Sequence, residues 1–222
     1  MTRRALAIAS MIVVAAMLAM AVVIGTDLPS DAVLPTHWDI AGDADDSSGK
    51  WQALLMPAGV AAGASLLFYF LPALEPRRQG LERSQGLYLT SWAGLLLVAV
   101  TIQLVTVSAA LGWDIAAGRI IMGAVGVMLA LIGNQLGKSR SMYMVGIRTP
   151  WTLASEEVWI KTHRLGGKLL VAAGLLICMM SLVPASLEVR GLVIGVSIGI
   201  AVIVPVAYSY LEWRREKRSQ AS

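Results

Sequence analysis

Reactive side chains concentrate in two stretches of this 222-residue chain. The first covers residues 34–51 and holds His37, four carboxylates (Asp39, Asp43, Asp45 and Asp46), the glycines Gly42 and Gly49, and the pair Lys50-Trp51. Imidazole and carboxylate are ordinary ligands of divalent metals, so His37, Asp39 and Asp43 or Asp45 form a weak candidate set for a cation. The run from Asp43 to Asp46 opens like a calcium loop, but its twelfth position is Leu54, where a bidentate Glu is required. A structural loop, with His37 hydrogen-bonded and Asp, Gly and Ser making turns, outweighs a metal site. A third role is ligand docking, in which His37, Asp39, Gly42, Asp43, Asp45 and Lys50 offer a mainly acidic platform to a cationic ligand.

The second stretch covers residues 133–167. Pro150 makes an extended entry, and Thr152 is placed to N-cap a short helix with Glu156 and Glu157 near its positive end. Lys161 and Arg164 follow towards the negative end, Glu157 and Lys161 are i,i+4 partners, and Gly166-Gly167 can stop or bend the helix. Trp151, Val158, Trp159 and Leu165 add apolar surface, which describes a helix lying at a membrane interface and leading into the next span. His163, beside Thr162 and the Glu pair, invites acid–base chemistry. Nothing supplies a nucleophile, an oxyanion site or a HExxH spacing, so no catalytic residue and no cofactor are assigned. Arg148 and Arg164 are the candidate phosphate or headgroup contacts.

The elements that position these stretches are set by composition. With 57% hydrophobic and only 14% charged residues, the chain needs the bilayer as solvent for most of its length. Six apolar segments, at 5–25, 52–71, 87–111, 117–136, 167–183 and 192–211, approach the roughly 20 residues that span a hydrocarbon core. In hydrocarbon each backbone N–H and C=O must pair within its own segment, so these are helices. The first follows Arg3-Arg4 and exceeds a signal-peptide core, which favours a retained helix. With the N-terminus in the cytoplasm, 15 of the 18 basic residues fall inside, leaving Lys50, Arg119 and Arg190 outside. Of the 14 acidic residues, 8 fall outside. The net charge of +4 is thus a topology signal and not a nucleic-acid footprint. Trp51, Trp113, Trp151 and Trp213 lie near segment ends, where the headgroup layer favours them.

Within the spans, Gly191, Gly195 and Gly199 form two overlapping GxxxG units, and Gly59 and Gly63 repeat the spacing. Packing inside the bundle is the favoured use, with a homodimer face as the alternative; the oligomeric state is left open. Pro57 and Pro205 are expected to kink their helices. Gln103 sits near the middle of the third span and is read as an interhelical hydrogen-bond partner. No ionisable residue lies at a span centre, which weakens a proton-coupled transporter. The lone Cys178 excludes an intramolecular disulfide.

The inner stretch closely resembles the SdpI family. The residues that carry this are Gly133-Asn134, then Gly146-Ile147-Arg148-Thr149-Pro150-Trp151-Thr152-Leu153, Glu157-Val158-Trp159, Thr162-His163-Arg164 and Gly167. The outer stretch, with Leu34-Pro35-Thr36-His37-Trp38, Gly42 and Lys50-Trp51, looks like the DUF1648 region that often precedes it. It departs from that pattern at Trp38-Asp39, where Phe-Asn is usual. The resemblance implies bacterial membrane proteins that confer immunity to a secreted toxic peptide. It also implies receptors that hold a cytoplasmic transcriptional repressor at the membrane.

The resulting expectation is an all-α polytopic protein of the bacterial inner membrane, with six transmembrane helices, both termini in the cytoplasm and a short interfacial helix before the fifth span. It divides into a DUF1648-like region at 1–75, a third span at 87–111, an SdpI-like region at 117–211 and a basic tail at 212–222. Its expected partners are the lipid bilayer, a secreted cationic or amphipathic peptide outside and a repressor inside, with no direct nucleic-acid binding. His37, Asp39 and the outer acids would meet the peptide. The inner motif (Asn134, Arg148, Thr149, Pro150, Trp151, Thr152, Glu157, Trp159, His163 and Arg164) would contact a partner or headgroups. The rival readings are a small-solute or ion transporter using Gln103, and an envelope-acting enzyme using His163 or His37.

Overall fold

The computed structural model describes residues 2–39 and 42–221. Six of its helices are long and apolar enough to cross a membrane. These are α1 (Arg3–Asp27), α2 (Lys50–Leu74), α4 (Gln85–Ala110), α5 (Ala117–Leu136), α7 (Glu156–Leu182) and α8 (Leu187–Ala221). Two short helices join them, α3 (Arg78–Arg83) and α6 (Pro150–Ala154). The stretch between α1 and α2 is an antiparallel hairpin of β1 (Val33–Trp38) and β2 (Ala44–Gly49). The chain is a polytopic, all-α membrane protein to which the hairpin is the one β addition among the described residues.

The bundle is built from two groups of three helices, α1, α2 and α4 in one and α5, α7 and α8 in the other, joined where α4 packs on α5. Aromatic side chains hold the first group. Phe68 stacks on Trp92 at 6.1 Å between centroids and leans on Tyr88 at 5.9 Å. The Tyr88 hydroxyl donates to the Phe68 carbonyl at 2.5 Å, and the Trp92 indole N–H donates to Ser65 Oγ at 3.2 Å. Each buried aromatic therefore has its polar atom satisfied, as a low-dielectric core requires.

The second group is held by the absence of side chains. Gly126 and Gly133 on α5 face Gly174 and Gly167 on α7, each pair seven residues apart. A Cβ at Gly133 would lie 2.7 Å from the Val171 amide nitrogen, and one at Gly174 would lie 2.5 Å from that of Ala130. The two backbones approach as closely as membrane helices can when small residues form the seam. The glycines expected to pack the bundle do not do so. At Gly59, Gly63, Gly195 and Gly199 a Cβ would meet nothing within 4 Å. Spacing alone marks small stripes, but only the neighbouring helix decides which stripe is used.

Gln103 also departs from expectation. It is 1% exposed, and neither its amide nitrogen nor its oxygen has a partner among the described residues. Pro57, Pro72 and Pro205 all lie inside continuous helices.

Candidate functional site

The hairpin and the 137–149 segment mark opposite ends of the bundle. Helix α4 connects them: Ser84, just before it, meets Arg140, and Val107 near its far end packs under Leu34 of β1. Its 26 residues make it about 39 Å long.

At one end, Leu34 anchors the hairpin in a small core with Ala21, Ala53, Leu54 and Val107. Strand β2, by contrast, is exposed along nearly its whole length, so backbone pairing and not burial holds it. The register shifts on either side of His37. That irregularity sets the His37 ring beside β2, where Nδ1 lies 2.5 Å from Asp45 Oδ1, both side chains remaining open to solvent. Asp39 has a different task. Its Oδ1 accepts the amides of Gly42 at 2.9 Å and Asp43 at 3.0 Å, closing the turn in which Gly42 takes a φ of +99°. Asp43 itself is exposed.

Lys50 is 8% exposed, and its ammonium donates to the Leu28 carbonyl at 2.6 Å, just past the end of α1. There it satisfies an oxygen that the helix leaves unpaired and offsets the negative end of the dipole. The adjoining Trp51 ring fills the space where Gly25 has no side chain. The structure therefore brings His37 and Asp45 together and keeps Asp43 nearby in sequence on the same turn. It uses Asp39, Gly42 and Lys50 to hold the hairpin. Among the described residues no three His, Cys, Asp or Glu side chains are grouped to hold a metal ion.

At the other end, the 137–149 segment has no regular structure, and its backbone is gripped by side chains from elsewhere. Glu75, at the end of α2 and 2% exposed, accepts the amides of Tyr143 at 3.0 Å and Met144 at 2.7 Å, together with that of Arg77 at 2.8 Å. Arg77 donates to Ser141 Oγ and, at 3.0 Å, to the Leu153 carbonyl, while its guanidinium lies 4.7 Å above the Tyr143 ring. Ser84 Oγ accepts the Arg140 amide at 2.8 Å. Gly80 presses on the Ser141 carbonyl with no room for a Cβ. Sequence reasoning passed over Glu75; the available signal was a lone acid between a span and a proline, Leu74-Glu75-Pro76.

The motif residues of α6 and α7 divide into scaffold and surface. Thr149, not Thr152, is the N-cap of α6. The two threonines form a reciprocal capping box, with Pro150 at the start of the helix. Ser155 caps α7, whose first turn carries Glu156 and Glu157. The short helix expected before the fifth span, carrying Glu156, Glu157, Lys161 and Arg164, is not a separate element: those residues form the first turns of α7, which runs unbroken into the span, and α6 is a different five-residue helix ahead of it. Gly166-Gly167 do not end a helix but lie inside α7, where Gly167 belongs to the seam with α5 and Gly166 admits Ile147.

His163 is fully buried. Its Nε2 accepts the Ile147 amide at 2.8 Å, its Nδ1 faces the Trp159 carbonyl at 2.9 Å, and its ring stacks on Trp159 at 3.9 Å. An acceptor at Nε2 leaves the proton on Nδ1, so this imidazole is neutral and both nitrogens are taken. Gly146, at a φ of +115°, makes the approach possible, since a Cβ there would lie 2.6 Å from Nε2. Trp159 is fully buried and donates to Ser139 Oγ at 3.2 Å.

Helix α8 fastens the assembly. Ser209 Oγ meets Thr149 Oγ1 at 3.1 Å, Tyr210 lies 5.1 Å from Trp151, and Glu212 pairs with Lys161 at 2.9 Å and with Arg215 at 2.7 Å. Lys161 also reaches Glu157 at 2.8 Å. Arg148 donates to the Tyr143 carbonyl at 2.8 Å. Asn134, Arg148, Pro150, Glu157 and Arg164 remain exposed, whereas Thr149, Thr152, Trp159 and His163 are interior.

These two ends coincide with two regions found in known proteins. Residues 138–209 match the SdpI/YfhL protein family, and residues 12–60 match a domain of unknown function, DUF1648. Over 145 residues the chain is 26% identical to Immunity protein SdpI of Bacillus subtilis (strain 168), covering 65% of this chain and 70% of that protein. Residues 138–209 thus resemble an SdpI/YfhL family region. No solved structure matches it. The family region opens one residue before Ser139, the partner of Trp159, and closes on Ser209, the partner of Thr149. It thus takes in most of the 137–149 segment with α6, α7 and the part of α8 that packs on them, and the DUF1648 match encloses the hairpin with the adjoining parts of α1 and α2.

Proposed function

We propose that this protein is an immunity protein of the bacterial inner membrane, protecting the cell against a secreted, membrane-active peptide. The observation that carries the reading is the likeness, over most of the chain, to a protein named for immunity. The exposed acids of β2 and the exposed His37–Asp45 pair form the ligand face, suited to a cationic or amphipathic peptide. Both termini lie in the cytoplasm in this reading, which puts the hairpin outside and the Glu75–Tyr143 assembly inside, where a repressor would dock. A non-enzymatic role is favoured because both nitrogens of His163 are occupied.

The test is survival of a sensitive bacterium that expresses the chain and is challenged with a panel of secreted cationic peptides. Protection against at least one is expected. It should be lost in the triple variant Asp43→Asn, Asp45→Asn, Asp46→Asn while membrane levels stay constant. Protection by neither protein would sink the immunity reading; equal protection by both would sink the hairpin as ligand face.

One observation favours a second reading, a small-solute or ion transporter: the buried Gln103 amide without a partner among the described residues. Solute flux in proteoliposomes that disappears on Gln103→Leu would establish it.

A further inference from the structure

Beside the Glu75–Tyr143 assembly lies a cavity of about 620 Å³, bounded by α3, the 137–149 segment and the start of α7. Four guanidinium groups line it, from Arg77, Arg78, Arg83 and Arg140, against the single carboxylate of Glu156. That carboxylate is already shared. Its Oε2 accepts the Ser141 amide at 3.2 Å, and its Oε1 stands 3.9 Å from Arg140 Nε. Arg78 and Arg83 are exposed and form no ion pair among the described residues. Arg77 is locked by Ser141, the Leu153 carbonyl and the Tyr143 ring, so part of the wall is rigid before any ligand arrives.

We infer that this cavity is a binding site for a phosphate-bearing group, either a lipid headgroup or a soluble phosphomonoester. Like charges gathered in one concavity repel one another, and an anion relieves them. Guanidinium forks match phosphate oxygens, and here they converge from a helix and from the facing loop, which suits a compact polyoxyanion better than an extended acidic peptide. The cavity lies at the ends of membrane-spanning helices, the depth at which basic pockets meet headgroups. The inference stands apart from the immunity reading, because it rests only on these side chains.

The experiment measures thermal unfolding and equilibrium binding of the full chain in neutral detergent. The probes are phosphatidylglycerol, phosphatidylcholine, glycerol 3-phosphate and poly-glutamate. Phosphatidylglycerol or glycerol 3-phosphate should bind and stabilise, with phosphatidylcholine inert. A response to the lipid alone identifies a headgroup site, and a response to glycerol 3-phosphate identifies a soluble ligand. The double variant Arg78→Gln, Arg83→Gln removes two exposed cations and no scaffold contact, and should weaken binding at least about tenfold. Lys217→Gln with Arg218→Gln, two exposed cations of the α8 tail that do not line the cavity, should leave it unchanged. Binding of poly-glutamate alone, absence of any binding, or equal losses in both double variants would overturn the inference.

Discussion

The carboxylate of Glu75 holds the backbone of Tyr143, a residue 68 positions later in the chain, through the Tyr143 amide at 3.0 Å. This tie fastens the end of α2 to the segment with which the family region begins. Replacing Glu75 by Ala strands buried amides, at a cost of about 2–4 kcal/mol, while Gln keeps one acceptor and costs less. Unfolding in detergent, followed by tryptophan fluorescence, should rank wild type above Glu75→Gln and Glu75→Ala lowest.

The glycine seam yields a paired prediction. Gly174→Val forces α5 and α7 apart and should destabilise by about 2–3 kcal/mol. Gly195→Ala and Gly59→Ala meet open space and should stay within about 0.5 kcal/mol of wild type. The same unfolding measurement decides between this and bundle packing through the GxxxG stripes.

His163 should behave as a neutral scaffold group. Nitrogen NMR of labelled protein should find the proton on Nδ1 and none on Nε2. Protonating Nε2 would set two donors against each other at the Ile147 amide, so acidification should loosen the 137–149 segment, read as faster proteolysis there. A titrating, solvent-open imidazole would contradict the assignment.

Orientation is checked with single cysteines on a Cys178→Ser background. An impermeant maleimide should label Ser48→Cys on intact cells and Gln220→Cys only after permeabilisation. The reverse pattern would exchange the ligand and response faces.

Much of this fold was legible in the sequence because the bilayer imposes a length on every apolar segment, and six such lengths are visible. The hairpin was not. Strand β2, Ala44 to Gly49, lacks the apolar alternation that marks a half-buried strand, and its pairing resides in the backbone. Lys50 reads as a ligand-face cation until α1 is seen to end beside it. Gly166-Gly167 reads as a stop because glycine breaks helices in water; between membrane helices it permits contact instead. Glu75 carried no periodicity and no motif, so only the long-range fold reveals its partners.

Helix α4 gives the two ends of the molecule a mechanical relation. A rigid rod about 39 Å long that tilts by about 3° swings its far tip by roughly 2 Å. At Ser84 such a swing exceeds what the 2.8 Å bond from the Arg140 amide tolerates. Any load that shifts the hairpin, and with it the Leu34–Val107 contact, would therefore be felt as a latch released at the far end of the bundle, with no messenger crossing the lipid.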